Sequence, residues 1–217
     1  MIKRYGIIGC GMMGQEHLRN INLINDAIAY AIYEPNINMQ KMAKKLAPDA
    51  KFYDSLDKIL SDENIDCWLI VSPNHLHMDQ LEQLAGIPHR PILVEKPLFT
   101  EIKHLERIKN FSIKYSAPVW VAMEYRYMPP IAELIKRQNN VTGGTKMLSI
   151  REHRFPFLPK VDDWNRFNKN SGGTFVEKCC HFFDLMRLIT GSNPIKIMAS
   201  GGQDGNHLGE NYTGLVP

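Results

Sequence analysis

Three glycines at fixed offsets, Gly9-Cys10-Gly11-Met12-Met13-Gly14, separate the first apolar run, residues 4–9, from the first amphipathic stretch, residues 12–24. A strand that turns directly into a helix brings backbone against backbone, and only residues without a side chain fit at the closest approaches. Gly9 permits the tight bend, Gly11 lets a pyrophosphate approach the main chain, and Gly14 lets helix and strand pack closely. The helix start, at Met12 and Met13, offers unpaired N–H groups and the positive dipole end to phosphate. Glu34, 20 residues past Gly14, closes the next apolar run. A carboxylate there accepts hydrogen bonds from ribose hydroxyls and repels a 2′-phosphate, which points to NAD rather than NADP. A glycine-rich turn with an incidental surface glutamate is the competing reading.

The rest of the N-terminal half supports the nucleotide reading. Short apolar runs at 4–9, 27–34, 50–53, 66–72, 91–95 and 119–123 alternate with helical patterns at 12–24, 36–46, 55–60, 75–85 and 101–115. Several runs are apolar throughout, as expected of parallel strands buried on both faces. Strict alternation predicts βαβ units in a doubly wound sheet. Asn74 is placed to cap the fourth helix. After Met123 the rhythm changes: a helix opens at Pro129-Pro130, and residues 145–152 read as a strand beyond Gly143-Gly144. A polar, aromatic-rich loop (153–173), a helix (175–189) and a last strand (195–200) follow. This predicts two domains, 1–122 and 123–217.

A chain of 217 residues, 44% hydrophobic, is long enough to bury a sizeable core. Its net charge of +3 is too small to imply nucleic-acid or membrane binding. No apolar run approaches the roughly 20 residues that span a bilayer. The N-terminus enters a strand pattern without a signal-peptide apolar region. Cys10, Cys67, Cys179 and Cys180 show no disulfide framework, so a reduced, cytoplasmic compartment is expected.

Leu93-Val94-Glu95-Lys96-Pro97 puts a lysine at the end of the fifth run. With Ser72-Pro73-Asn74 and His77, and with the late segment Gly172-Gly173-Thr174-Phe175-Val176-Glu177-Lys178-Cys179-Cys180-His181-Phe182-Phe183-Asp184, the chain resembles the Gfo/Idh/MocA oxidoreductases, the family of glucose-fructose oxidoreductase and inositol dehydrogenase. The resemblance implies an α/β fold: a Rossmann domain, then an α/β domain on an open, mainly antiparallel sheet. It implies that Lys96 lies near the nicotinamide and the reacting hydroxyl, and that His181 transfers the proton. Ser72, Pro73, Asn74 and His77 would line the cofactor, with Glu95 beside it. Many members carry Asp four residues before the histidine, where this chain has Glu177. Family members also continue well beyond Pro217, so a shortened second domain is expected here.

The residues of the late helix can be read without the family. Phe175, Cys179, Phe182, Met186 and Ile189 recur at helical steps, predicting a buried stripe, with Glu177, His181 and Asp184 beside it. A carboxylate four residues from an imidazole can favour its protonated form. The bland alternatives are a capping box over Thr174 to Glu177, a satisfied core-edge histidine at His181, and a strand-terminal lysine at Lys96. Adjacent cysteines on a helix diverge by about 100°, so Cys179-Cys180-His181 is not expected to bind metal. Tyr125, Arg154, Trp164, Asn165 and Arg166 combine rings with hydrogen-bonding groups, as a sugar or polyol site does; a solvated loop is the alternative.

The leading expectation is NAD-dependent oxidation of a secondary hydroxyl on a sugar, cyclitol or related polyol. His181 takes the hydroxyl proton and Lys96 stabilises the developing alkoxide. A non-catalytic NAD-binding regulator and an NAD-using glycosidase are the alternatives. The second domain is the expected surface for association of copies.

Overall fold

The apolar runs of the N-terminal half lie side by side in one parallel sheet of six strands, ordered β3-β2-β1-β4-β5-β6. The strands are β1 (Lys3–Ile8), β2 (Ala27–Tyr33), β3 (Lys51–Tyr53), β4 (Cys67–Ile70), β5 (Ile92–Val94) and β6 (Val119–Val121). The structure, a computed structural model, describes residues 1–153, 158 and 160–200. Backbone contacts divide the chain into Met1–Ala122 and Met123–Pro217.

Between the strands run α1 (Met12–Ile21), α2 (Ile37–Leu46), α3 (Leu56–Leu60), α4 (His77–Ala85) and α5 (Leu105–Lys114). Alternate strand residues point to opposite faces, so the sheet builds two cores. Ile7 and Leu69 meet Leu18 and Ile21 of α1 and Ala43 of α2 on one face. Ile8, Trp68, Ile70 and Val94 meet Met78, Leu81 and Leu84 of α4 and Phe111 of α5 on the other. Trp68 is fully buried, and its ring fills the space over Gly6 on the paired strand, where an added Cβ would stand 2.7 Å from it.

One local expectation fails. Asn74 opens a 3-10 turn, Asn74–Leu76, and α4 begins after Leu76 with no side-chain cap, so Asn74 does not cap it. The fifth helix likewise opens with a 3-10 turn, Ile102–His104.

The ladders end before the apolar runs do, and the leftover residues carry the chemistry. Ile8 is level with Ile70, and Ile70 with Val94. Gly9, Val71 and Glu95 therefore leave the sheet together at its carboxyl edge. The strand order reverses between β1 and β4, and ligands of doubly wound sheets bind at that switch point.

In the second unit a 3-10 turn, Glu124–Tyr127, precedes α6 (Pro129–Thr142), which ends at left-handed Gly143 (φ 71°). A kinked 3-10 segment, Val161–Arg166, then leads to α7 (Asn168–Ser171), α8 (Gly173–Glu177) and α9 (Cys180–Thr190). Residues 145–152 and 195–200, expected as strands, form no ladder. A strand exists only through a neighbour that takes up its N–H and C=O groups, and among the described residues of this unit none runs alongside. Met147, Ile195, Ile197 and Met198 are accordingly exposed. No helix among the described residues is long and apolar enough to cross a membrane.

At the opposite edge of the sheet, Arg4 grips Asp66 through Nε (3.0 Å) and Nη2 (3.1 Å), joining the starts of β1 and β4. The guanidinium hydrogen bonds lower the Asp66 carboxyl to about 2. The unfolded value lies near 4, so the pair's contribution is complete at neutral pH and fades as pH falls from about 4 towards 2. Both groups are solvent-accessible, which keeps that contribution modest. Asp66→Asn should therefore lose less stability than the native chain over that interval, as read from urea midpoints.

Candidate active site

Gly9 adopts φ 92°, and a Cβ there would stand 2.7 Å from the Ser72 nitrogen and 2.8 Å from the Val71 carbonyl carbon. A Cβ on Gly14 would meet the Gly9 oxygen at 2.7 Å. At Gly11 the same atom would meet nothing within 4 Å. Gly9 and Gly14 thus bring the β1 end, the β4 end and the start of α1 into contact, while Gly11 borders open space. Gly11 caps α1 without a side-chain hydrogen bond and the first turn holds no acidic residue, so the N–H groups at Met12 and Met13 suit an anion.

Glu34 follows β2 and is 8% exposed. One carboxylate oxygen accepts the Cys10 N–H at 2.5 Å and the other the Asn36 N–H at 2.7 Å. The Cys10 thiol is buried beneath the turn in the core. Glu34 therefore both holds the glycine turn and presents acceptor oxygens beside it.

Past β4, the Ser72 hydroxyl donates to Gln80 Oε1 (2.6 Å), and Pro73 leads into buried Asn74, whose Nδ2 has no hydrogen-bond partner. His77 is fully buried, with Nε2 3.0 Å from the Ser72 oxygen and Nδ1 2.8 Å from the Pro97 oxygen. Burial pushes the imidazole below its usual range, and the neutral ring has one N–H, which it can donate to only one of these two carbonyl oxygens. His77, itself in the segment after β4, lies against the segment after β5 at Pro97.

Past β5, Glu95 is 7% exposed and Lys96 is half-buried; the Lys96–Pro97 bond is cis. Glu95 Oε1 lies 2.8 Å from His17 Nε2, and Glu95 Oε2 accepts the Lys96 N–H at 3.2 Å. Burial acts to raise the Glu95 carboxyl, but the His17 hydrogen bond and the Lys96 charge outweigh it, so the group sits below the usual carboxylate range. His17 is the residue that sequence reasoning missed; the available signal was its place one helical turn after Gly14. The uncapped helix start, the open position at Gly11 and the unpartnered Asn74 amide together fit a dinucleotide.

In the second unit, the Cys179 N–H bonds the Thr174 oxygen five residues back (3.1 Å), and the helix expected over 175–189 is broken into α8 and α9. The unbroken i,i+4 relation between Glu177 and His181 does not apply. Nor does the capping box form: Glu177 ends α8, whose cap is Gly172 without a side-chain bond. The buried residues of α9 are His181, Leu185 and Ile189, whereas Phe175 is exposed.

His181 is 2% exposed, with the Tyr125 ring stacked on it at 4.3 Å and 10° and Glu124 Oε1 3.4 Å from its Nε2. Lys178 bonds the Tyr125 hydroxyl and lies 3.3 Å from Glu152. Arg126 Nε donates to Asp184 at 2.6 Å. Buried Glu177 is 3.7 Å from the Lys160 ammonium, which lies 4.7 Å over the half-buried Trp164 ring. Asn165 is buried and donates to the Leu158 oxygen (3.3 Å), and Arg166 pairs with Asp163 at 3.5 Å. Arg154 lies outside the described residues. Among the described residues no three His, Cys, Asp or Glu side chains gather as a metal site.

The glycine turn, the acidic residue after β2 and the strand order define an NAD-binding Rossmann protein. The model described as an oxidoreductase family with an NAD-binding Rossmann fold matches residues 3–123, and that family's C-terminal alpha/beta domain matches residues 135–216. The chain belongs to the Gfo/Idh/MocA oxidoreductase family. It is 27% identical over 199 residues to the myo-inositol 2-dehydrogenase of Thermotoga maritima, covering 91% of this chain and 58% of that protein. Identity to the inositol 2-dehydrogenase of Rhizobium meliloti is 25% over 202 residues, covering 92% and 58%. The myo-inositol dehydrogenase of Lactobacillus casei, solved with NAD(H) and myo-inositol, shares the fold at a TM-score of 0.69 and 20% identity, over 88% of this chain and 55% of that one.

The three glycines make separable demands. Gly11→Val should leave the melting temperature nearly unchanged and weaken NADH binding by about tenfold or more, because its side chain occupies the space of the phosphates. Gly9→Val should lower the melting temperature itself. Thermal melts and NADH fluorescence titrations on both variants check this.

Proposed function

We propose that this chain is the NAD-using part of a dehydrogenase that oxidises a secondary hydroxyl of a sugar, cyclitol or related polyol. The observation that carries the reading is the arrival of Glu95-Lys96 at the sheet edge from which the glycine turn also leaves, with Val94, Ile70 and Ile8 in register across β5, β4 and β1. The inositol dehydrogenases among its relatives support the polyol class.

NAD, when bound, supplies the hydride acceptor. The N–H groups at the start of α1 hold the pyrophosphate, Glu34 accepts from the ribose hydroxyls, and its charge disfavours a 2′-phosphate. Ser72, Pro73 and Asn74 line the cofactor, His77 supports that lining, and Asn74 Nδ2 supplies a donor otherwise without a partner. The Lys96 ammonium donates to the substrate hydroxyl oxygen and stabilises negative charge as the proton leaves. His181, packed under Tyr125 and beside Glu124, takes that proton. Glu177 acts on the same segment through Lys160.

Residues 1–122 are the cofactor domain in this reading. Residues 123–217 contribute substrate contacts, with Tyr125, Trp164, Asn165 and Arg166 as candidates, and serve association of copies. Residues 145–152 and 195–200 would enter the open antiparallel sheet of the family's second domain. Four free thiols suit a reducing, cytoplasmic setting.

Lys96→Ala should lower kcat on the best polyol of a sugar and inositol panel by about a hundredfold or more, with NADH affinity within about twofold of the native value. Unchanged turnover in that variant removes Lys96 from the chemistry. NADH binding by the native chain without turnover of any panel member supports a regulator instead.

A further inference from the structure

We propose that His17 is the positioning residue for Lys96, linking the helix that receives the dinucleotide phosphates to the strand end that carries the lysine. This rests on the reading of Lys96 given above.

The last ladder bond of β5 on the β4 side is donated by Glu95 to the Ile70 oxygen (2.9 Å). Lys96 is the next residue, so its direction depends on what holds Glu95. That side chain is 9% exposed, and a buried carboxylate is stable only where donors surround it. Its Oε2 receives the backbone N–H of Lys96 itself (3.2 Å), which fixes the peptide plane between the two residues. Its Oε1 meets His17 Nε2 at 2.8 Å, and that ring is contributed by α1. One short rigid helix thus presents N–H groups to an anion at its first turn and grips the Glu95 carboxylate one turn further on. Any settling of α1 onto a bound pyrophosphate is transmitted through His17 and Glu95 to the Lys96 peptide. A tie that merely fastened α1 to the sheet would have no need of a carboxylate that also holds the lysine backbone.

The test compares His17→Phe, which keeps a ring without the donor, with His17→Gln, which sets an amide N–H near the position of Nε2. His17→Ala replaces the first variant if Phe prevents folding. Each is measured for melting temperature, NADH affinity, kcat and KM on a polyol, and hydrogen exchange of a peptide spanning residues 93–98 with and without NADH. The expected result for His17→Phe is a fall in kcat of about tenfold or more, KM and NADH affinity within about twofold, and loss of NADH-dependent protection at 93–98, with most of each recovered by His17→Gln. Native kcat and protection in His17→Phe overturn the proposal. So do equal losses in both variants that track the melting temperature, the signature of a structural tie. If the native chain binds NADH and protects 93–98 yet turns over no polyol, the dehydrogenase reading fails while the linkage stands. If NADH binds without protecting 93–98, the linkage fails whatever the turnover.

Discussion

Three backbone segments meet with no side chain between them at the centre of the sheet's carboxyl edge, and the remainder of the site takes its spacing from that contact. A methyl group at Gly9 would drive into the Ser72 and Val71 main chain, and one at Gly14 into the Gly9 carbonyl. Because the ends of β1 and β4 and the start of α1 are this close, α1 begins directly over the switch point. The side chain of His17 can then span to β5, and Glu34 can reach the Cys10 N–H across the turn. Larger residues would push these elements apart at the contacts that set their spacing, and would strain the polar links together.

Two buried carboxylates, Glu34 and Glu95, lie near this contact, and main-chain N–H groups and one imidazole satisfy them. Glu34 takes main-chain N–H groups on either side of it in space, at Cys10 and at Asn36, the residue that caps α2. Glu95 takes one main-chain N–H and one imidazole. The structure therefore accepts the desolvation of two charges in return for fixed geometry at the mouth of the sheet. The N-terminal unit has two apolar cores, with these two carboxylates at the carboxyl edge of its sheet and the Arg4–Asp66 pair at the other.

Much of the N-terminal unit was legible because its signals are local or periodic. Unbroken apolar runs marked buried strands, the glycine offsets marked the turn, and the distance to Glu34 marked the end of β2. What stayed hidden was non-local. Nothing near His17 in the chain discloses that Glu95, 78 residues on, comes within 2.8 Å of it. Asn74 carries a capping side chain, yet the 3-10 turn it opens leaves the α4 terminus beyond its reach. In the second unit the hydrophobic period was misread because the backbone gains a residue between Thr174 and Cys179, which rotates His181 onto the buried face and Phe175 off it. The segments at 145–152 and 195–200 have strand composition, but composition cannot supply a pairing partner.

The double duty of Glu34 bears on how cofactor preference can change in such a protein. Admitting a 2′-phosphate calls for removal of this negative charge and for a cation in its neighbourhood. Here the same carboxylate is the acceptor for the N–H of Cys10, the residue between the first two glycines, and for that of Asn36. Exchanging it for a basic or apolar side chain removes the acceptor from a buried main-chain donor in the glycine turn, whereas a glutamine would keep one acceptor oxygen. A change of cofactor would therefore call for a replacement at position 34 that still offers an oxygen to the Cys10 N–H, or for a second group that takes over that bond. In the NAD-using reading proposed above, cofactor preference is thereby coupled to the anchoring of the glycine turn, through a carboxylate 24 residues further along the chain.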